Sequence, residues 1–363
     1  VAGDVTDHVA AALGHVRAAA DGRAHEAHER IAGVLARAGV DVDPSVLATR
    51  AVAHPIGLNF HPDRLAVDGR LVARALHDDG VYRSQFVTGI SNGGLTAHPG
   101  GDRDRWEELL FGGAYQRPGA DPTGRPVYGG LDLLARPDGP CPRFGSCHLR
   151  LRPHVAERAT YCFGDSHTGP ADVGTADSFS LVLAALLEAA ERDGSVLAHP
   201  TDLPGLVRLL ASAPSPVDPS DEPGRALDHY IEVQVHGPLE VAVDAHALVV
   251  DPSFRGTEAG DLLEALAERH RLDMAWHRGF ELTADEVPPE FRGPEVTALA
   301  HRIVRELGDG DPRIHAELVG RAARSVVTDP GRWADHAPPA ATLQHLKQLW
   351  HVLVHVGRPA TIP

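Results

Sequence analysis

From Tyr230 to Gly237 the chain reads YIEVQVHG, a strict alternation of apolar and polar residues. A period of two belongs to a β-strand; a helix, whose faces recur every 3.6 residues, would scatter the same pattern around its axis. As a strand, Ile231, Val233 and Val235 share one face, suited to a core. Tyr230, Glu232, Gln234 and His236 share the other. A phenol, a carboxylate, an amide and an imidazole in one row are either a solvated sheet surface or one wall of a site.

The surrounding texture sets the fold class. Residues 7–38 carry Val9, Leu13, Val16, Ile31, Val34 and Leu35 near helical spacing without a proline, and read as helix closed by Gly39. From Ile56 to Phe254 short apolar or alternating runs are punctuated by Gly, Pro and Asp, which predicts strands near 56–61, 83–88, 127–134, 146–151, 158–164, 229–236 and 246–251. Helices are expected at 69–78 and 178–191, the second capped by Thr175 or Asp177 and stopped by Gly194. Residues 212–224 are too rich in Pro, Ser and Asp for regular structure. Beyond Arg255 the pattern is helical again, at 258–270, 294–307, 312–326 and 340–355. The expectation is an α+β protein: a helical extension over 1–50, a mixed core over 51–256 and a mostly helical region over 257–363.

Composition narrows the classes. With 34 basic and 50 acidic residues among 363, the formal charge is −16, which disfavours nonspecific nucleic-acid binding. Lys347 is the single lysine, and the other cations are arginines. Together with the abundance of Ala, Gly, Pro and Asp, this suggests codon bias, so arginine content alone says little about phosphate binding. No run approaches the ~18 apolar residues of a membrane span, and no charged-then-apolar leader opens the sequence. Three cysteines are too few for a disulfide framework. A soluble chain in a reducing, cytoplasmic setting is expected; a secreted effector fits the same residues.

Four core segments carry chemistry. LNFHPDR (58–64) sends an apolar strand into His61, Asp63 and Arg64 just before a helix, which aims polar side chains into a cleft. YRSQFVTGISNGGL (82–95) brings Arg83 and a glycine-rich turn able to approach a phosphate, without a Walker or dinucleotide fingerprint. TYCFGDSHTGP (160–170) places Tyr161 and Ser166 at a strand end. The alternating strand supplies Glu232 and Gln234.

This order resembles the ADP-ribosyltransferase superfamily, in which an early strand carries a His or Arg holding NAD. A middle strand contributes Ser or Tyr, and a late strand carries the catalytic Glu. The run YIEVQVHGPLEVAVDAHALVVDPSF is similar to that fold's closing strand pair, and the chain resembles, over about 50–300, an uncharacterised bacterial domain family associated with the superfamily. The resemblance implies a split β-sheet core with helical N- and C-terminal extensions, and NAD as the substrate. Glu232 would be catalytic. His61, Arg64, Arg83, Tyr128, Tyr161, Ser166 and Gln234 would hold NAD, with Arg83 on the pyrophosphate and Tyr128 or Tyr161 stacked on nicotinamide. The acceptor, a protein, a nucleic acid or a small molecule, is left open, as is simple hydrolysis. Two departures stand out: many members place the catalytic Glu where this chain has Gln234, and FGDSH replaces the usual Ser-Thr-Ser strand.

Three rivals come from the same residues. FGDS resembles the first block of GDSL-type esterases, with Ser166 as nucleophile, although His167 is badly placed to serve as its base. Cys141, Cys147, His148, His154 and Cys162 suggest zinc, but their spacing is wider than that of usual sites, and packed cysteines on strands fit better. A transferase-like core used only for binding is the third. Trp106 is expected on a short amphipathic helix with Leu109, Leu110 and Phe111 toward the core, Trp276 on a further strand, and Trp350 in the core of the last helix.

Overall fold

A computed structural model describes residues 5–90, 97–197, 199–212, 225 and 227–361. Its centre is an eight-stranded sheet: Ile56–Phe60 (β1), Val127–Leu131 (β2), Cys147–Leu151 (β3), Ala159–Phe163 (β4), Val173–Thr175 (β5), Ile231–Val235 (β6), Ala245–Val250 (β7) and Asp273–Trp276 (β8). The spatial order is β8-β7-β3-β1-β2-β6-β4-β5. Every pairing is antiparallel except β7 with β8, where Val250 faces Trp276 in a parallel edge.

Helices wrap this sheet: Val5–Asp21 (α1), Ala24–Arg37 (α2), Pro44–Val52 (α3), Val72–Asp79 (α4), Asp102–Leu110 (α5), Ser180–Asp193 (α6), Leu203–Ala211 (α7), Glu258–His270 (α8), Pro294–Leu307 (α9), Ala316–Thr328 (α10) and Pro339–Val356 (α11). Helix α6 packs on β4 and β5, α2 and α3 pack on α6, and α8 links α4 to the β7–β8 edge. Helices α9, α10 and α11 pack on one another. Ile231, Val233 and Val235 are fully buried on the apolar face, as the alternation requires. Among the described residues no helix is long and apolar enough to cross a membrane.

Several local expectations need correction. The helix expected over 7–38 breaks into α1 and α2 at Gly22–Arg23, where glycine weakens a helix interior. Two helices escaped notice despite explicit start signals. Asp43 accepts from Ser45 N at 2.7 Å with Pro44 next, and Asp202 accepts from Gly205 N at 2.7 Å with Pro204 in the first turn. The strand expected over 83–88 is a two-residue strand, Val81–Tyr82, followed by a helical turn, Gln85–Thr88, closed by Gly89 at φ 66°. Neither Thr175 nor Asp177 caps α6, because Thr175 Oγ1 donates to Asp177 and Asp177 pairs with Arg17. Leu109 is 82% exposed, while Phe111 is buried as expected. The helix expected from 312 begins at Ala316, after the short strand Arg313–Ile314. The loop expected over 212–224 falls outside the described residues beyond Ser212, as do Ser91, Asn92, Gly93 and Gly94 of the glycine-rich turn.

The polar face of β6 is also buried: residues 138–146 cross it at the Tyr230–Glu232 end, where Phe144 packs edge-on against Tyr230, and Phe111 and Tyr115 cover His236 at the other. That crossing needs bare backbone beneath. A Cβ on Gly57 would come within 2.6 Å of Pro140, and one on Gly130 within 2.4 Å of Cys141 Sγ. Asn59 fastens the segment, donating from Nδ2 to the carbonyls of Asp138 (3.1 Å) and Gly145 (3.2 Å) and accepting from Cys141 N (3.1 Å). Helix α11 fastens it from outside, through Trp350 Nε1 to the Pro142 carbonyl at 2.8 Å.

Candidate functional site

Strands β1 and β2 pair only at Ile56–Leu131 and Gly57–Gly130, and then part. A pocket of about 270 Å³ occupies the fork, with Asn59, Phe60 and His61 on one side and Gly129, Tyr128 and Val127 on the other. It is lined by apolar side chains such as Val72, Leu76 and Phe144 and by a small set of charged groups. Concave, mostly apolar space with a few convergent polar groups is the usual form of a small-molecule site.

Glu232 lies at the wall of this pocket, 4% exposed. Its Oε2 accepts from Ser166 N at 3.4 Å and Tyr230 hydroxyl at 3.3 Å, and its Oε1 from Gln234 Nε2 at 2.7 Å. Burial, with the nearby Asp165 carboxylate, pushes its pKa up to about 7; the Ser166 and Gln234 hydrogen bonds pull the other way. The carboxyl is therefore poised near neutrality, where proton transfer and charge stabilisation are both within reach.

Behind Gln234 runs a buried chain of donors. Because the Gln234 amide N–H faces the carboxylate, its carbonyl faces Thr160, whose hydroxyl must donate to it at 2.7 Å. Thr160 then accepts from His236 Nε2 at 2.9 Å, which leaves His236 Nδ1 to accept from the Tyr115 hydroxyl at 2.6 Å. Every hydrogen bond in the row points toward Glu232, and each polarises the next. Burial lowers the His236 pKa to about 3, so the ring stays neutral with its proton on Nε2. The polar row is a support for one carboxylate.

The other residues expected at the site fall into three groups. His61, Arg64, Arg83, Tyr128, Ser166 and Glu232 all line the pocket. Gln234 stands behind Glu232. Tyr161 is elsewhere: its Cα partner is Val233, so it points to the apolar face, where it packs edge-on against Phe179 at 5.4 Å. The alternation of β4 alone dictates this, since Thr160 and Cys162 take the polar face. His61 packs on Trp350 at 5.1 Å, and burial, with Arg64 and His351 adding to it, pushes its pKa well below the usual range. Arg83 is tied by Nε to Asp79 at 3.3 Å.

Sequence reasoning missed four charged residues and an imidazole at the pocket, Arg103, Arg143, Lys347, Asp165 and His167, besides rings such as Trp106 and Phe144. Arg103 and Trp106 come from α5, Arg143 from the segment over the sheet, and Lys347 from α11. Lys347 is lowered from its usual pKa by burial and by Arg143 and Arg292. Its signal was present, as the one lysine kept in a chain that otherwise uses arginine. Five cations against two carboxylates line the pocket of a protein whose overall charge is −16. An anionic ligand fits that inversion.

Among the described residues Ser166 Oγ has no hydrogen-bond partner, and His167 turns its Nδ1 to Asp165 at 2.7 Å. No histidine thus stands beside Ser166 as a base, the geometry an esterase nucleophile needs. Of the residues considered for zinc, Cys147 faces Asp251 on the apolar side, His154 pairs with Asp244, and Cys162 lies against Gln234. Among the described residues no group of three or more His, Cys, Asp or Glu side chains could hold a metal.

Two comparisons with known proteins bear on this chain. The sequence model of a family described as "Protein of unknown function (DUF3626)" matches residues 55–356, from the start of β1 to the end of α11. No curated protein matches.

Proposed function

The chain belongs to the DUF3626 family, and from the pocket that its matched span encloses we infer an NAD-dependent ADP-ribosyl transfer or NAD hydrolysis. One observation carries the reading: a buried, well-supported carboxylate, Glu232, at the wall of a cation-lined pocket in the fork of a divided sheet.

The chemistry asks for such a group. As the bond between nicotinamide and the ribose C1′ breaks, its electron pair moves to the pyridinium nitrogen and the sugar gains oxocarbenium character. An ionised Glu232 accepts a ribose hydroxyl and stabilises that charge, and its fixed donors spare it reorganisation during the step. Water or an acceptor hydroxyl or amine then attacks C1′ and loses a proton, whereas an acceptor carboxylate attacks with none to lose. Tyr128 and Phe144 offer faces for a planar ring, and neutral His61 with Arg64 offers donors for a ribose. Gln234, which stands where many transferases carry their Glu, serves here to orient Glu232 through the 2.7 Å hydrogen bond.

The test is nicotinamide release from NAD by the wild type and by Glu232→Gln, with both checked for folding. Turnover that collapses in the variant supports the reading. Failure of the wild type to bind or turn over NAD sinks it. Binding without turnover in either protein points instead to a nucleotide-binding module.

A further inference from the structure

Arg103, in the first turn of α5, is only 7% exposed, yet its side chain lines the pocket. Its guanidinium lies between two rings, 4.4 Å from the centre of Trp106 and 4.6 Å from that of Tyr128. Stacking engages the two faces of a guanidinium and leaves its N–H groups, which lie in the plane, to bind at the edge. Among the described residues, two of those nitrogens, Nε and Nη1, have no hydrogen-bond partner, and neither has the indole Nε1 of Trp106. Trp106 follows one turn later on the same helix, so the three unmet donors belong to one helix face.

The obvious internal partner is occupied. Glu107 gives one carboxylate oxygen to Arg125 Nη1 at 3.0 Å and the other to the Tyr128 hydroxyl at 2.7 Å. Arg125, on the opposite side of Glu107, also reaches Asp104 and the Tyr115 carbonyl. Two buried arginines thus border one carboxylate; one is saturated and the other is not. Leaving buried donors unmet is costly, and a site bears that cost when a ligand supplies the acceptors.

We propose that Arg103, with Trp106 and Tyr128, forms the subsite for a phosphoryl group, and that in an NAD-sized ligand this group is the pyrophosphate. A phosphate offers several oxygens in the fork geometry that arginine meets with two parallel hydrogen bonds. Arg83, expected to hold the pyrophosphate, already shares its charge with Asp79, which Arg70 also holds. Tyr128 joins the subsite to the catalytic strand: its Cα partner is Gln234, the same-face neighbour of Glu232. The assignment of pyrophosphate rests on the NAD reading; that of a phosphoryl group does not.

Calorimetric titration with ADP-ribose and with inorganic pyrophosphate, on the wild type, Arg103→Gln and Arg103→Lys, separates the two. The expected result is at least a tenfold loss of affinity for both probes in Arg103→Gln, and a shallower salt dependence. Arg103→Lys should recover part of the loss, since it keeps the charge without the planar fork. If Arg103→Gln fails to melt cooperatively, Arg103→Lys decides, with a several-fold loss expected. Unchanged affinities in the variants overturn the subsite and leave the NAD reading to the Glu232 assay. Arg103-dependent binding of pyrophosphate without any binding of NAD or ADP-ribose upholds the subsite and defeats the NAD reading. A wild type that binds neither probe overturns the subsite.

Discussion

Arginine has two opposite employments in this protein. Where α1 and α2 meet α6 and its approach, each arginine is matched: Arg30 holds Asp172 and Glu188 at 2.8 and 2.7 Å, Arg37 holds Glu191 at 2.8 Å, and Arg17 holds Asp177 at 2.9 Å. Around the pocket, Arg64, Arg103 and Arg143 each keep a buried N–H without a partner among the described residues. The first arrangement is a clasp between layers, complete in itself. The second is complete only with something added. In a chain whose cations are nearly all arginine, the residue type says little; the unmet donors gathered at the pocket are what suggests a ligand there, although, among the described residues, Arg150 and Arg292 also keep an unpartnered Nε outside it.

The contrast can be broken at either end. The largest effect is expected at Glu232, which lines the same pocket as the unmatched cations: Glu232→Gln should lower nicotinamide release about 100-fold or more, the scale of one lost preorganised electrostatic contact. The pH profile comes next. If Glu232 acts ionised with a pKa of about 7, the rate should rise about tenfold per pH unit below that value and level off above it. Folding should run the other way. Between an ordinary carboxyl pKa near 4.5 and the folded value near 7, the folded state holds a proton that the unfolded state has released, so Glu232 makes stability fall as pH rises. Glu232→Gln should flatten that slope, by on the order of 1–3 kcal/mol across the window, in denaturant titrations at pH 5 and pH 8.

A smaller effect is expected further along the donor chain. Thr160→Val removes the hydroxyl that fixes the Gln234 amide and should lower kcat several-fold. It should also move the pH profile upward, because Glu232 then loses part of its hydrogen bonding. A purely structural role would change stability and leave the profile in place. The smallest effect belongs to the clasp: Arg30→Gln should cost about 1 kcal/mol in stability, with no change in NAD turnover. Loss of turnover in that variant would mean the matched arginines also serve the site.

Much of the sheet was legible because alternation and turn punctuation report on local geometry. β6 with its two faces, β7, and the exits of β1 at His61 and β4 at Ser166 follow from a handful of residues each. Tyr161 was misplaced although its own strand held the answer: Ala159, Tyr161 and Phe163 alternate with Thr160 and Cys162, and only one set faces Glu232. What stayed hidden was long-range. Nothing near Arg143 announces that residues 138–146 cross the polar face, because the signal lies in Gly57 and Gly130, which look like breakers in a strand and are the floor under Pro140. The burial of Tyr230 and Glu232 owes much to that crossing, whereas Phe111 and Tyr115 cover His236 at the other end of the row.

The pocket draws on His61 and Lys347, separated by 286 positions, with Arg103, Arg143 and Glu232 between them. During synthesis, which runs at roughly 5–20 residues per second, the carboxylate strand therefore leaves the ribosome well before the lysine that faces the same ligand. For that interval the chain holds its reactive group without the wall that completes the pocket. The pocket gains Lys347 only when α11 packs against residues 138–146, with Trp350 donating to the Pro142 carbonyl. On the proposed function, turnover would wait for α11 to complete the pocket, a delay set by chain order alone.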